Sequence, residues 1–259
     1  MAMIYKTTMT PGKLELVTAW LPTRPWYVAT GHAPDLARSG GFRLDDPEGE
    51  VGIEFMVLTD TSGGRETSYH VPLTYRGAPL DGAGDAAGAG GAGSAGAGLV
   101  GTSEHGVLGT RWIYDGAHDP VLVSQLLELL RGRATAQHQT ESDTPDPGVT
   151  AWFGGAELLE ALSPEPLEVS HTARGTDVLV AGSRAVLTVT RVLRARDEVT
   201  DADADVDADA QDGPSDPPAS RALGRVTAAW TTPEGAAHRG TFATLHAAAG
   251  RPASPRTTA

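Results

Sequence analysis

Three observations predict an α+β fold: an antiparallel sheet with a packed helix, followed by a second small antiparallel β lobe. First, Val51 to Tyr75 reads as two β-rich runs around a Gly63-Gly64 turn, which is a hairpin. Second, an amphipathic helix stands on each side of that hairpin in the sequence. Third, two more paired runs follow, one over 177–193 and one over 223–247. In the first hairpin Val51, Ile53, Phe55 and Val57 share one face by alternation, and Gly52, Glu54, Met56 and Leu58 share the other. The second face is only half polar, so part of it needs a cover. The apolar face needs a helical layer.

Residues 3–9 read as a short strand. Thr10-Pro11 is predicted to open the first helix, with Thr as N-cap and Pro at the first helical position, where its missing N–H has no partner anyway. Leu14, Val17, Trp20 and Leu21 form its apolar stripe, and Pro22 stops it. Leu21 to Tyr27 reads as extended and aromatic, either a core plug or a platform for a ligand or partner. Residues 28–50 read as loop, on the turn chemistry of Gly40-Gly41 and Asp45-Asp46-Pro47. After the hairpin, residues 81–98 are almost wholly Gly and Ala, a flexible insert too poor in apolar area to offset its ordering entropy. Its formal GxGxxG match, Gly88 to Gly93, is the accident of a Gly/Ala repeat, since no helix-forming run follows.

Thr110 to Tyr114 reads as a strand. The second helix has Asp119 as N-cap, Pro120 at its first position, a body from Val121 to Leu130, Arg131 at the negative end of its dipole and Gly132 as its stop. Val123, Leu126, Leu127 and Leu130 face the sheet. The polar stretch 134–150 divides the chain into a region 1–135 and a β lobe 149–247, with a polar tail over 248–259. The lobe contains a short helix over 155–162, a hairpin turning at Gly182-Ser183, and two strands joined across Pro233-Glu234-Gly235. Residues 197–219, an Asp-Ala repeat with prolines, read as a disordered acidic linker.

The net charge is −13, of which the segment Arg196–Ala219 carries −8. With no basic cluster, nucleic acid and anionic membrane surfaces are unsuited as partners. The chain has no cysteine, which excludes disulfides and thiolate-bound zinc. The N-terminus has no apolar signal region, and no run reaches the ~18 apolar residues of a membrane span, so the expectation is a soluble cytoplasmic protein. No register of the Asp-Ala repeat places Gly and Glu where an EF-hand needs them. Glu104, His105, Asp115, His118 and Asp119 lie close in sequence but lack a metal-binding spacing. Neither GxSxG nor a P-loop occurs.

Trp20-Leu21-Pro22-Thr23-Arg24-Pro25-Trp26-Tyr27 resembles the opening of the maltokinase N-terminal cap domain. Tyr69-His70-Val71-Pro72-Leu73, a Gly-bearing loop and Tyr114-Asp115 before an apolar helix follow in the same order, over roughly residues 1–135. The resemblance implies a cystatin-like cap, an antiparallel sheet with a helix against it. It continues into Arg184 to Arg191, similar to the kinase strand whose lysine pairs with ATP phosphates, but Thr188 stands in the lysine's place. Threonine supplies no cation to a phosphate. No His-Gly-Asp or Asp-Phe-Gly segment follows before Ala259. The implied protein is non-catalytic and without cofactor, a regulatory or docking relative of the maltokinase N-lobe in α-glucan, maltose or trehalose metabolism. Its expected surface is Arg24, Trp26 and Tyr27 with the loop Thr102–Gly109, including Glu104 and His105; its expected partner is another protein of that metabolism, or an oligosaccharide. The alternatives are a carbohydrate-binding module using Trp26, Trp112 or Trp152, a vestigial nucleotide-binding lobe with Thr188 at its degenerate position, and an enzyme of another chemistry.

Overall fold

Two apolar faces on one hairpin dictate the architecture. The computed structural model describes residues 8–80, 98–154, 167–173, 175–180, 185–194 and 222–247. The elements of the first half are β1 (Met9–Thr10), α1 (Lys13–Trp20), β2 (Leu36–Leu44), β3 (Gly52–Asp60), β4 (Thr67–Arg76), β5 (Leu99–His105), β6 (Gly109–Asp115) and α2 (Pro120–Leu130). Those of the second are β7 (Gln137–His138), β8 (Thr150–Phe153), β9 (Leu167–His171), β10 (Gly175–Val180), β11 (Ala185–Thr190), β12 (Ala222–Thr231) and β13 (Ala237–Ala247). The Gly/Ala segment 81–97, the helix expected over 155–162, the Gly182-Ser183 turn, the acidic stretch and the tail fall outside the described residues.

Among the described residues every strand pairing is antiparallel and two short helices accompany the sheet, so the chain is an α+β protein. Both faces of β3 are buried, as the alternation requires. Val51, Ile53, Phe55 and Val57 join a large core with Leu122, Val123, Leu126, Leu127 and Leu130 of α2. Met56 and Leu58 join a smaller core with Val17 and Trp20 of α1. The two helices therefore cover opposite faces of the same hairpin. Each fully buried Leu or Val contributes about 1.5–3 kcal/mol of gross burial energy.

The two halves of the chain share more than an edge. β4 pairs with β3, β3 with β2, β2 with β12 at Gly40–Trp230, β12 with β13, and β13 with β11. Beyond β11 the chain returns to β4: His70 donates its N–H to the Arg191 carbonyl at 2.9 Å, and Leu193 donates to the Ser68 carbonyl at 2.8 Å. These pairings close a ring. The large core lies within it, where Phe42 stacks on Phe55 at 4.4 Å and Phe242 sits 4.5 Å from the His70 ring. The core thus runs across the polar stretch 134–150, from Phe42 and Ile53 to Val178, Leu187 and Leu245. Pro72, lacking an N–H, sits where β4 exchanges the 191–193 segment for β6 as its neighbour.

Three local expectations are corrected. The first helix starts later: Gly12 is its N-cap, the Thr10-Pro11 bond is cis, and the Glu15 carboxylate accepts from the Gly12 N–H. The Leu21–Tyr27 stretch is not extended, because Leu21–Thr23 continue the helix as a 3-10 turn. Residues 36–44, expected as loop, form β2, with a bulge between Arg38 and Gly40. Its glycines serve close approach: a Cβ on Gly41 would collide with the Phe55 carbonyl, and φ is +131° there. The second helix is as expected, capped by Asp119 accepting from Val121 N–H at 3.0 Å and stopped by Gly132 at φ +72°.

Candidate functional site

Trp26 lies under the expected surface, not on it. It is 1% exposed, packed edge-on against Trp20 at 5.8 Å and beside Tyr69 at 6.1 Å. The aromatic opening is thus a core plug with two partly exposed side chains on top. Arg24 lies over the Trp20 ring at 4.9 Å and donates to the Thr23 hydroxyl from Nε and Nη2. Tyr27 reaches the Asp60 carboxylate at 3.4 Å; burial first, then the Asp60 charge, pushes its pKa up.

Glu104 and His105 occupy the β5–β6 hairpin. Glu104 accepts from the Thr110 hydroxyl at 2.6 Å, and His105 Nδ1 accepts from the N–H groups of Val107 and Leu108 at 3.3 and 3.1 Å. His105 is lowered in pKa by burial and by Arg111 and Lys13, whereas Arg24 acts on His118 and His171. The two parts of the expected surface therefore belong to different electrostatic neighbourhoods. Val107 and Leu108 at the hairpin tip are 63% and 41% exposed.

The five candidate metal ligands do not converge. Asp119 is held by Arg76, at 2.7 Å to each oxygen, while it caps α2. Asp115 belongs to a network whose members are scattered along the chain with no spacing pattern. Arg191, wholly buried, bonds both Asp115 oxygens from Nη2 at 2.6 and 2.8 Å, and its Nε donates to the Thr176 hydroxyl at 2.8 Å. The guanidinium lies 5.1 Å from the Trp26 ring. Thr176 lies 3.0 Å from His171 Nδ1, and the His171 and His118 rings are 5.5 Å apart. Burial tends to raise the Asp115 pKa, but the Arg191 charge and bond outweigh it and hold the carboxyl ionised. His70 donates from Nδ1 to the Thr190 carbonyl at 2.9 Å, and burial followed by the Arg191 charge lowers its pKa to about 3. The only hint in the sequence was the Tyr114-Asp115 pair ahead of the helix. This network is a structural joint: Arg191 and Asp115 are paired with each other and shut away from solvent.

Thr188 donates its hydroxyl to Asp177 Oδ1 at 2.7 Å and sits opposite Thr244 of β13. Of the tryptophans, Trp20, Trp26 and Trp230 are buried and Trp112 is half-buried, while Trp152 is 57% exposed. Among the described residues no helix is long and apolar enough to cross a membrane, and no group of three His, Cys, Asp or Glu side chains is placed to hold a metal.

No curated protein matches the chain. The Trp20 opening, the β3–β4 hairpin and the Asp119 cap of α2 all fall in one stretch, and that stretch, residues 20–119, matches the family model of the maltokinase N-terminal cap domain.

Proposed function

We propose that the protein is a non-catalytic cytoplasmic docking or regulatory relative of the maltokinase N-terminal region, acting in α-glucan, maltose or trehalose metabolism. Its sheet with α1 against it corresponds, on this reading, to the cystatin-like cap. The observation that carries the non-catalytic part is Thr188: its hydroxyl is spent on Asp177, and no cation stands in its place. Lys13, one of the two lysines of the chain, is committed to Glu54 at 2.6 Å. Phosphate binding in a kinase N-lobe needs a lysine and metal ligands together. The docking surface on this reading comprises Arg24 and Tyr27 on their aromatic plug, and the hairpin tip beside Glu104 and His105.

Calorimetry should give no ATP isotherm at millimolar nucleotide, with or without magnesium, and Thr188→Lys should not create one. A dissociation constant in the micromolar range would overturn the reading. Affinity capture from native cytoplasm should retain an enzyme of α-glucan or trehalose metabolism, and Arg24→Ala with Tyr27→Ala should release it. A second reading, oligosaccharide binding, is favoured by one observation, the exposure of Trp152.

A further inference from the structure

Strand β8 is anchored on one face and open on the other. Phe153 packs toward the large core, above Gly224, where a Cβ would stand 2.9 Å from the Phe153 ring. Trp152 points the opposite way, as alternation requires. Its indole lies against Gly154, whose added Cβ would meet ring atoms at 2.9 and 3.1 Å. The ring therefore lies along the strand toward Gly154.

Around it is a shallow open groove of about 270 Å³, lined by Thr150, Ala151, Trp152, Arg225 and Thr227. Arg225 faces Trp152 directly across the β8–β12 pairing. No hydrogen bond or ion pair engages the Arg225 side chain among the described residues, so its donors remain available. The neighbouring guanidinium does the opposite. Arg239 spends its nitrogens on the Gly148 carbonyl at 2.9 Å, the Thr150 hydroxyl at 2.7 Å and the Thr227 hydroxyl at 3.2 Å, which fixes the groove wall. The same register continues across the sheet from Arg225 through Thr244 and Thr188 to Asp177. In that row Thr188 and Asp177 are bonded to each other, which leaves Arg225 and the Thr244 hydroxyl beside it.

We propose that this groove binds a neutral oligosaccharide, with one pyranose ring stacked on Trp152 and its hydroxyls bonded by Arg225 and by Thr244, its neighbour in register. The inference rests on the oligosaccharide reading above and assigns it a site. A pyranose presents an apolar C–H face to an aromatic ring and hydroxyls around its rim, which is the complement of one flat ring bordered by donors and hydroxyls. A phosphate ligand would call for more than one free cation. The groove is smaller than the ~300 Å³ typical of drug-sized sites, so affinity should be modest and spread over several sugar units.

The test is titration of the full chain with maltohexaose, with cellohexaose and with adenosine, followed by tryptophan fluorescence and calorimetry. Saturable binding of a hexasaccharide, weakened at least tenfold by Trp152→Ala and by Arg225→Ala with the melting temperature unchanged, supports the proposal. Gly154→Ala should weaken it as well, by displacing the ring. Binding that survives Trp152→Ala overturns the site and leaves the oligosaccharide reading standing. No saturable binding of either hexasaccharide overturns both. Saturation by adenosine alone, lost in Trp152→Ala, overturns the proposal in favour of a nucleoside platform.

Discussion

Two buried carboxylates, Glu54 and Asp115, solve the same problem in different ways. Glu54 is surrounded by four donors: Lys13 at 2.6 Å, Arg38 at 2.7 Å, the Tyr75 hydroxyl at 2.6 Å and Gln139 at 2.9 Å. Its two cationic partners are 33% and 48% exposed, so they remain partly hydrated while neutralising it. Asp115 has one cation, Arg191, and both side chains are fully buried. That pair gives up all its hydration, and Arg191 Nη1 is left without a partner. A buried pair regains its desolvation cost through mutual attraction only while both members are present. Glu54 fastens α1 and β2 onto one hairpin, whereas Arg191 and Asp115 fasten the segment just after β11 to the end of β6 across the middle of the chain. The first arrangement tolerates loss of a partner; the second does not.

The difference is most sharply exposed by Arg191→Met. It strands the Asp115 charge in the core and should cost about 3–5 kcal/mol in a urea titration. Adding Asp115→Leu should recover most of that loss, because an apolar pair replaces the ionic one. A single-variant loss below about 1 kcal/mol would show that water reaches the joint.

Acid should break the same side of the comparison next. The unfolded chain protonates His70 near pH 6.5, while the folded one does so only near pH 3. Between those values the unfolded state binds more protons, so stability is full above pH 6.5 and falls as the pH drops. The whole window is worth at most about 5 kcal/mol. His118 and His171, also lowered by burial, add to the same slope. Urea midpoints measured from pH 7.5 to pH 4 should fall steadily, and His70→Phe should flatten the trend. An unchanged slope in that variant would remove His70 from the account. Glu54 is held ionised by Lys13 against the upward push of burial, so its stabilisation is full above the ordinary carboxylate pKa and is lost only as the pH falls below it.

The smallest effect belongs to Glu54→Gln, about 1–3 kcal/mol. Lys13 and Arg38 can turn to water, and the buried loss is confined to the Tyr75 hydroxyl and the Gln139 amide. A loss as large as that of Arg191→Met would erase the distinction.

What could be read from the residues was what rests on short-range rules. The hairpin followed from alternation, and α2 from Asp119, Pro120 and Gly132. β2 was hidden because Ser39-Gly40-Gly41 looks like turn chemistry. In fact those glycines let β2 approach Phe55 and Trp230. Thr10-Pro11 imitates a capped helix start, although the first turn of α1 begins after Gly12. The surface candidates divided along the same line. Arg24 and Tyr27 keep partial exposure, but Trp26 was drawn beneath them by Trp20 and Tyr69, contacts that local pattern cannot reveal. The Arg191–Asp115 joint spans 76 residues and obeys no spacing rule.

The return of residues 191–193 to β4 also bears on how the polypeptide can be divided. A fragment ending near residue 135 would keep the whole family-matched stretch, yet lose every strand that covers the outer edges of β2 and the first half of β4. Those backbone groups would face solvent as two unpaired borders, the kind that recruits a neighbouring chain. Divided there, the molecule would be prone to self-association through its own open seams.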